Sequence, residues 1–576
     1  MASERDVQTF VHRIEEGVWA GPLRFLLLLV CLLALTILFI SGFQGLSSAA
    51  GMEQAQIARE LARGNGFSTK VIRPLAVWEF RSRKGVFPAG AIPDIYHAPL
   101  NPFINSLFLR FDRKSWAMSS SLALYPCDVL IAEVSIAFFL LSLAINYFTA
   151  RHLFGPRLAL LGLGLLVVCA AFWEFALSGL PQMLMLFLFS ACLYTMARAP
   201  HAAVWNARDA LWFAAAGALF GLLALAHGLT LWIFAGALLY AGFVVRPRGC
   251  YALLMLGTFS LVYAPWLVRN YHVCGNPLGL ACFSALGGSP KSENVLMRSL
   301  TLLKGGLSPG TLRARIQSQI PFQIDHLYPL LGSSAVAPLF FVSLLHPFKR
   351  PEAASFRWRL ACMGAGAALG MAVFGLAGED PQANNLYILF VPSFTFYGLA
   401  FVLSIWNRLG INQRIFRTGL ICLIYLLSAS PLLNTLLQKR GGQLFHWPPY
   451  APPIISLLNK WTSEDEIIVS DMPWAVAWYA DRKCLWLPTA VGDFMELNDS
   501  RLLGAPLVGL YLTPVSGDAP FLSEIANGEY KGWAPFILGL KNFLPPNFPL
   551  HAATRLPLNN ECIYYSDRDR WSAAGH

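Results

Sequence analysis

Eleven apolar runs set the terms on which this chain can fold. They lie near 23–43, 129–148, 157–174, 181–196, 210–226, 229–245, 251–268, 333–345, 359–377, 385–405 and 415–436. Most approach the ~17–25 residues that a helix needs to cross a hydrocarbon layer; the run at 333–345 is short and needs Leu330 and Leu331 to help. Composition agrees: 56% of residues are hydrophobic and only 13% charged, where a soluble domain carries about a quarter charged residues. The sequence therefore predicts an α-helical polytopic membrane protein of about eleven spans.

Charge placement orients these spans. With the N-terminus cytoplasmic, the inner loops collect Arg5, Arg13, Arg24, Arg151, Arg157, Arg198, Arg208, Arg246, Arg248, Lys349, Arg350, Arg357, Arg359, Arg408, Arg414 and Arg417, while the short outer loops 175–180, 227–228 and 378–384 hold no Lys or Arg. That asymmetry is the positive-inside pattern. It puts the long loops 44–128 and 269–332 and the C-terminal tail outside. The net charge of +11 is largely topological, and no concentrated basic tract points to nucleic acid. The first run exceeds the usual signal-peptide core, so it is expected to stay as a span.

The chain changes character at the proline-rich stretch 446–453. The reading is a membrane domain over 1–445 and a small extracytoplasmic α/β domain over 446–576. Within the latter, Ile454–Trp461 and Trp474–Tyr479 are predicted helices, and Glu466–Ser470, Cys484–Leu487 and Leu507–Leu512 predicted strands, a three-layer pattern. No glycine-rich phosphate loop accompanies them. The eleven cysteines form no CxxC or Cys/His metal spacing. In an oxidising compartment, Cys274 with Cys282 and Cys484 with Cys562 are the pairs to consider. The aromatics between Trp474 and Trp486 are expected to pack against the loops, with glycan stacking the sharper reading.

Polar chemistry concentrates in the first outer loop. Glu53 opens a helix over Gln54–Arg63 whose apolar face is Ile57, Ala58, Leu61 and Ala62, so it is expected to lie on the bilayer surface. Arg59 and Arg63 share its polar face one turn apart and are candidates to grip a lipid phosphate, or simply to solvate the helix. Gly64-Asn65-Gly66 is the stop signal. Glu53 is a candidate general base or ligand of a divalent metal, against the plainer role of a charge favoured at a helix N-terminus. Asp94 precedes a two-proline turn, Tyr96–Phe103, in which His97 is placed to bind phosphate or polarise a leaving group. Beyond the seventh span, Arg269 and Asn270 are a second phosphate candidate. Glu174, near the end of the third, is an ionisable group at membrane depth.

Three stretches carry a resemblance: IARELARGNGF after the first span, HAPLNPF, and PWLVRNY followed by GNP, with NNLYILFVP (Asn384–Pro392) later. In this order they resemble the GT-C superfamily of polyprenyl-phosphate-sugar-dependent glycosyltransferases, in particular the dolichyl-phosphate-mannose:protein mannosyltransferase-like proteins and the bacterial lipid A aminoarabinose transferase. The resemblance implies a bacterial cytoplasmic membrane and an inverting transfer at its outer face. The acceptor would be a lipid, glycan or protein, activated by a carboxylate of the first outer loop, and basic side chains would stabilise the departing phosphate. It places His97 at the family's HPPL histidine, Arg269 at its PW..RN arginine and Tyr387 in its late donor-binding motif. One departure stands out: the family's acidic pair falls on Ala50 and Gly51. Glu53 is the nearest carboxylate, with Asp94 and Glu174 as possible assistants. The rival reading is an inactive GT-C-like protein that binds or assembles lipid-linked glycans. A secondary transporter fits less well, because the halves do not repeat and the spans hold few charges.

Overall fold

In a computed structural model, the chain is described over residues 20–88, 90–111, 116, 124–199, 205–287, 290–302, 309–376, 382–410, 413–437, 452–517, 525, 527–540, 547–556 and 559–572. Among these, five helices are long and apolar enough to cross a membrane: Pro126–Phe154, Ala207–Ala226, Cys250–Cys274, Tyr387–Arg408 and Ile415–Leu437. A sixth candidate is the pair Pro156–Val167 and Ala170–Leu177, bent by 55°. Shorter apolar helices, Phe25–Ser41, Leu100–Leu109, Gln182–Arg198 and Gly228–Phe243, complete the set. The chain is thus a mostly helical membrane protein. The run at 333–345 is not a straight span: it resolves into the five-residue helix Leu339–Ser343 behind Pro338, since proline at a helix start cannot extend the preceding turn.

The helices bury one continuous apolar core, with Phe39 stacked on Trp173 at 4.7 Å and Phe340 on Phe394 at 3.9 Å. Arginines on the expected inner side tie helix ends together. Arg350 donates to the Leu153 carbonyl (3.3 Å) and Arg359 to that of Met196, cations set against the unsatisfied carbonyls of helix C-termini.

The C-terminal part of the chain contributes most of a six-stranded sheet: β2 (Val71–Ile72), β4 (Ile467–Ser470), β5 (Lys483–Trp486), β6 (Leu507–Leu512), β7 (Ala552–Leu556) and β8 (Asn559–Ser566), in the order β2-β5-β4-β6-β8-β7. The first four positions pair in parallel and the last two antiparallel. Alternation sends Ile467, Val469, Leu485 and Leu510 into one apolar cluster and Ile468, Cys484 and Tyr511 into another, so both faces are covered, as parallel strands require. The strands expected at 466–470, 484–487 and 507–512 are present. The sheet nevertheless crosses the expected domain boundary at 446, which itself lies outside the described residues. Its edge strand β2 comes from the segment after the first apolar helix, pairing Val71 with Cys484 and Ile72 with Leu485. A separate two-stranded ribbon joins β1 (Ser68–Thr69) to β3 (Ile92–Pro93).

All eleven cysteines are free thiols. Cys484 on β5 and Cys562 on β8 have β4 and β6 between them; three strand spacings of ~4.8 Å exceed the ~7 Å Cα reach of a disulfide. Cys274 and Cys282 instead bond backbone carbonyls, Asn270 at 3.3 Å and Gly279 at 3.0 Å.

Candidate active site

The helix carrying Glu53 runs over Ala49–Arg63. Ser48 caps it by accepting the Gly51 amide, and Gly64 (φ +92°) ends it. Protein covers both its apolar and its polar face. Gly51 to Glu60 are all buried, including Gln56 and Arg59 at 0% exposure. Met52, Ala55, Ala58 and Ala62 pack into the apolar cluster beneath the C-terminal sheet with Trp478 and Tyr479. The polar side chains that suggested an exposed face are buried because their partners arrive from elsewhere in the chain.

Glu53 is the focus of the site. Its Oε2 accepts hydrogen bonds from Arg73 and, at 2.5 Å, contacts His97 Nε2. All three side chains are less than a tenth exposed. Among the described residues Oε1 has no partner. Burial alone would raise the Glu53 pKa, but the Arg73 charge and the His97 hydrogen bond outweigh it and bring it down to about 2. The carboxylate is therefore ionised across the physiological range.

Local folding delivers each partner. Arg73 directly follows β2 and precedes the helix Pro74–Lys84, so pairing of β2 with β5 fixes its backbone. Its guanidinium lies 4.1 Å over the Tyr96 ring, and its buried Nε is without a partner among the described residues. Asp94 does not join the carboxylate. Its Oδ2 accepts the backbone amides of Tyr96 (3.2 Å) and His97 (2.7 Å), an Asx-type turn that aims the imidazole at Glu53. Arg269 braces the same loop by donating to the backbone carbonyls of Asp94 (2.6 Å) and Phe67 (3.1 Å). Asn270 accepts from Arg269 (2.9 Å) and donates to the Pro277 carbonyl (3.3 Å). A pocket lined by Thr69, Arg73, Asp94, Tyr96 and Leu280 adjoins the centre.

The other candidates lie elsewhere. Arg59 donates to the carbonyls of Ala477 and Trp478 (both 2.7 Å), to Tyr125 Oη and to Asp481. Arg63 bonds Asp481 and Glu60. Neither guanidinium is turned to a lipid phosphate: four protein acceptors hold Arg59 at full burial, and an acidic pair holds Arg63. Tyr387 donates to Gln323 Oε1 (2.9 Å) inside the helical core, and Glu174 is half-buried on the broken span Ala170–Leu177; neither bonds Glu53.

Of the two positions where the resemblance expects the acidic pair, Gly51 is closed to a side chain. A Cβ on Gly51 would stand 2.4 Å from the Ser178 carbonyl oxygen, with Ser48 N also donating to that oxygen at 3.4 Å. The helix N-terminus is seated directly on the Ser178-Gly179 backbone, leaving no room for a side chain there. The first carboxylate clear of this contact is Glu53.

Nor do the residues form a divalent-metal set. The Glu53 oxygen that meets His97 also faces the Arg73 guanidinium, a like charge to any cation, and among the described residues no three His, Cys, Asp or Glu side chains converge.

The helices and the sheet together form a fold shared with a solved oligosaccharyltransferase structure. Among solved structures the chain is similar to the archaeal oligosaccharyltransferase AglB from Archaeoglobus fulgidus, in complex with an inhibitory peptide and a dolichol-phosphate: TM-score 0.50, 13% identity, 90% of this chain and 75% of that one covered. It is also similar to ArnT from Cupriavidus metallidurans bound to undecaprenyl phosphate (TM-score 0.43, 12% identity, 95% and 98% covered). No protein-family model and no curated protein matches the chain.

Proposed function

We propose that this protein is a membrane glycosyltransferase. It moves a sugar from a polyprenyl-phosphate-linked donor to a lipid, glycan or protein acceptor at the outer membrane face, with the N-terminus cytoplasmic. The observation that carries this reading is the buried Glu53–Arg73–His97 centre in the first long loop of a GT-C fold. Glu53 Oε1 accepts the acceptor hydroxyl, whose oxygen bonds to the anomeric carbon. The anomeric C–O bond to the donor breaks with its electrons going to the lipid phosphate, and the acceptor proton passes to Glu53. A carboxylate with a pKa of about 2 is a weak base, so proton transfer runs late, after the sugar has developed oxocarbenium character. The Arg73 Nε donor stabilises the charge on the leaving phosphate, the role expected of Arg59 and Arg63. Asp94 and Arg269 are positioning residues for the His97 loop.

One observation favours the rival, an inactive protein that binds or assembles lipid-linked glycans: the Glu53 carboxylate is tied into an ion pair rather than poised near neutral pKa. Sugar transfer from a labelled polyprenyl-phosphate donor in membranes containing the protein separates the two. Transfer by the wild type supports the enzyme, and donor binding without transfer supports the rival.

A further inference from the structure

Asp481 holds three cations from the first outer loop. Its Oδ1 accepts from Arg59 (2.9 Å), Arg63 (2.9 Å) and Lys70 (2.6 Å), and its Oδ2 from Arg63 (2.6 Å). Two of these cations sit on the helix that carries Glu53. The third immediately precedes β2, three residues before Arg73. One carboxylate of the C-terminal domain thus joins the two segments that deliver the members of the ion pair. The joint is reinforced on both sides. Arg59 also fills the carbonyls of Ala477 and Trp478, while the Cys484 amide donates to the Lys70 carbonyl at 2.8 Å. Asp481 itself is held in the left-handed region at φ +54°, a conformation that costs a non-glycine residue free energy and that Asp and Asn tolerate best.

We propose that Asp481, acting through Arg59, Arg63 and Lys70, is a positioning residue that sets the distance between Glu53 and Arg73, so that the C-terminal domain is part of the catalytic apparatus. The proposal rests on the transferase reading of the centre. Glu53 lies six residues before Arg59, about 9 Å along the helix, so a tilt of that helix moves the carboxylate relative to Arg73 and His97. Misplacement by about 1 Å is enough to cost ~10²-fold in rate.

The test uses the full-length protein in lipid nanodiscs and the variant Asp481→Asn, which keeps a residue suited to the left-handed backbone and removes the charge. Two readouts are taken: hydrogen exchange over residues 49–73, and kinetics of transfer from a labelled polyprenyl-phosphate sugar. The expected result is exchange about tenfold faster in that window, with kcat down ~10²-fold and donor KM within about twofold of wild type. Adding Val71→Cys, to form a disulfide with Cys484 across the β2–β5 pair, should recover most of the lost kcat on oxidation. Lys70→Met is the companion variant should Asp481→Asn not fold; its faster exchange is expected at 68–73 with a smaller fall in kcat. Unchanged exchange in the window, or kcat within about twofold of wild type despite faster exchange, overturns the proposal. A wild type without transfer overturns the transferase reading; the exchange result then still decides whether Asp481 holds the two segments.

Discussion

In the proposed mechanism Glu53 is the base and Arg73 its cationic partner, and each of these two has a distinct expected phenotype. Glu53→Gln keeps the shape and removes the base; transfer should fall by ~10²–10⁴, the range for a lost general acid–base group, with membrane insertion intact. Arg73→Ala removes the partner of a buried carboxylate, a change that costs ~3–5 kcal/mol and should lower thermal stability as well as rate. The linkage has a definite sign. The folded pKa of Glu53 is depressed to about 2 from 4.5, so its contribution to stability is fully present above pH 4.5 and is lost as pH falls toward 2. The stability gap between wild type and Glu53→Gln, measured in detergent by thermal unfolding, should therefore be largest near neutral pH and shrink through that window; a gap independent of pH would contradict the ion pair. Glu53, Asp94 and His97 were legible as candidates from type and spacing. Arg73 was not, because nothing in RPLAVWEF shows that the residues just before it become a strand of a sheet assembled far along the chain.

The helix Ala49–Arg63 shows what periodicity conveys and what it withholds. Its C-terminal end and Gly64-Asn65-Gly66 stop were readable, and Asn65 duly bonds the Glu60 carbonyl at 3.0 Å; its start was not, since it begins at Ala49 and not at Gln54. Its burial was not, because an amphipathic pattern records which face is polar and not whether that face meets water or buried carbonyls and carboxylates. The displaced acid has the same kind of explanation. Aligned motifs exposed the absence of a carboxylate at Ala50 and Gly51, but the seating of Gly51 on the Ser178-Gly179 backbone, which excludes a side chain there, is tertiary. Gly51→Ala forces a methyl into that contact and should destabilise by ~1–3 kcal/mol as overpacking, read as a lower unfolding temperature. Gly51→Asp should restore no activity to Glu53→Gln, since its carboxylate has no space to form.

Across the whole molecule, the segments before and after 446 are less separable than the composition shift there suggested. The apolar runs marked the helical bundle and short apolar segments marked the parallel strands at 467–470, 483–486 and 507–512, since both signals are local. The contribution of Val71–Ile72 to the sheet is not local, and two residues are too few to register as a strand. With β2 missing, the β5 edge would expose its unpaired N–H and C=O groups. A fragment covering 446–576 alone should therefore be less stable and more prone to associate than one fused to residues 66–74, a difference that urea unfolding and light scattering would register.

The measurement that bears most directly on the account is transfer of a labelled sugar from a polyprenyl-phosphate donor by the purified full-length protein, wild type beside Glu53→Gln. The account predicts labelled acceptor and released polyprenyl phosphate from the wild type and a loss of ~10²-fold or more in the variant. Equal transfer by both would remove Glu53 from the centre of the mechanism, and transfer by neither, with donor still bound, would make this protein a binder of lipid-linked sugars instead of an enzyme.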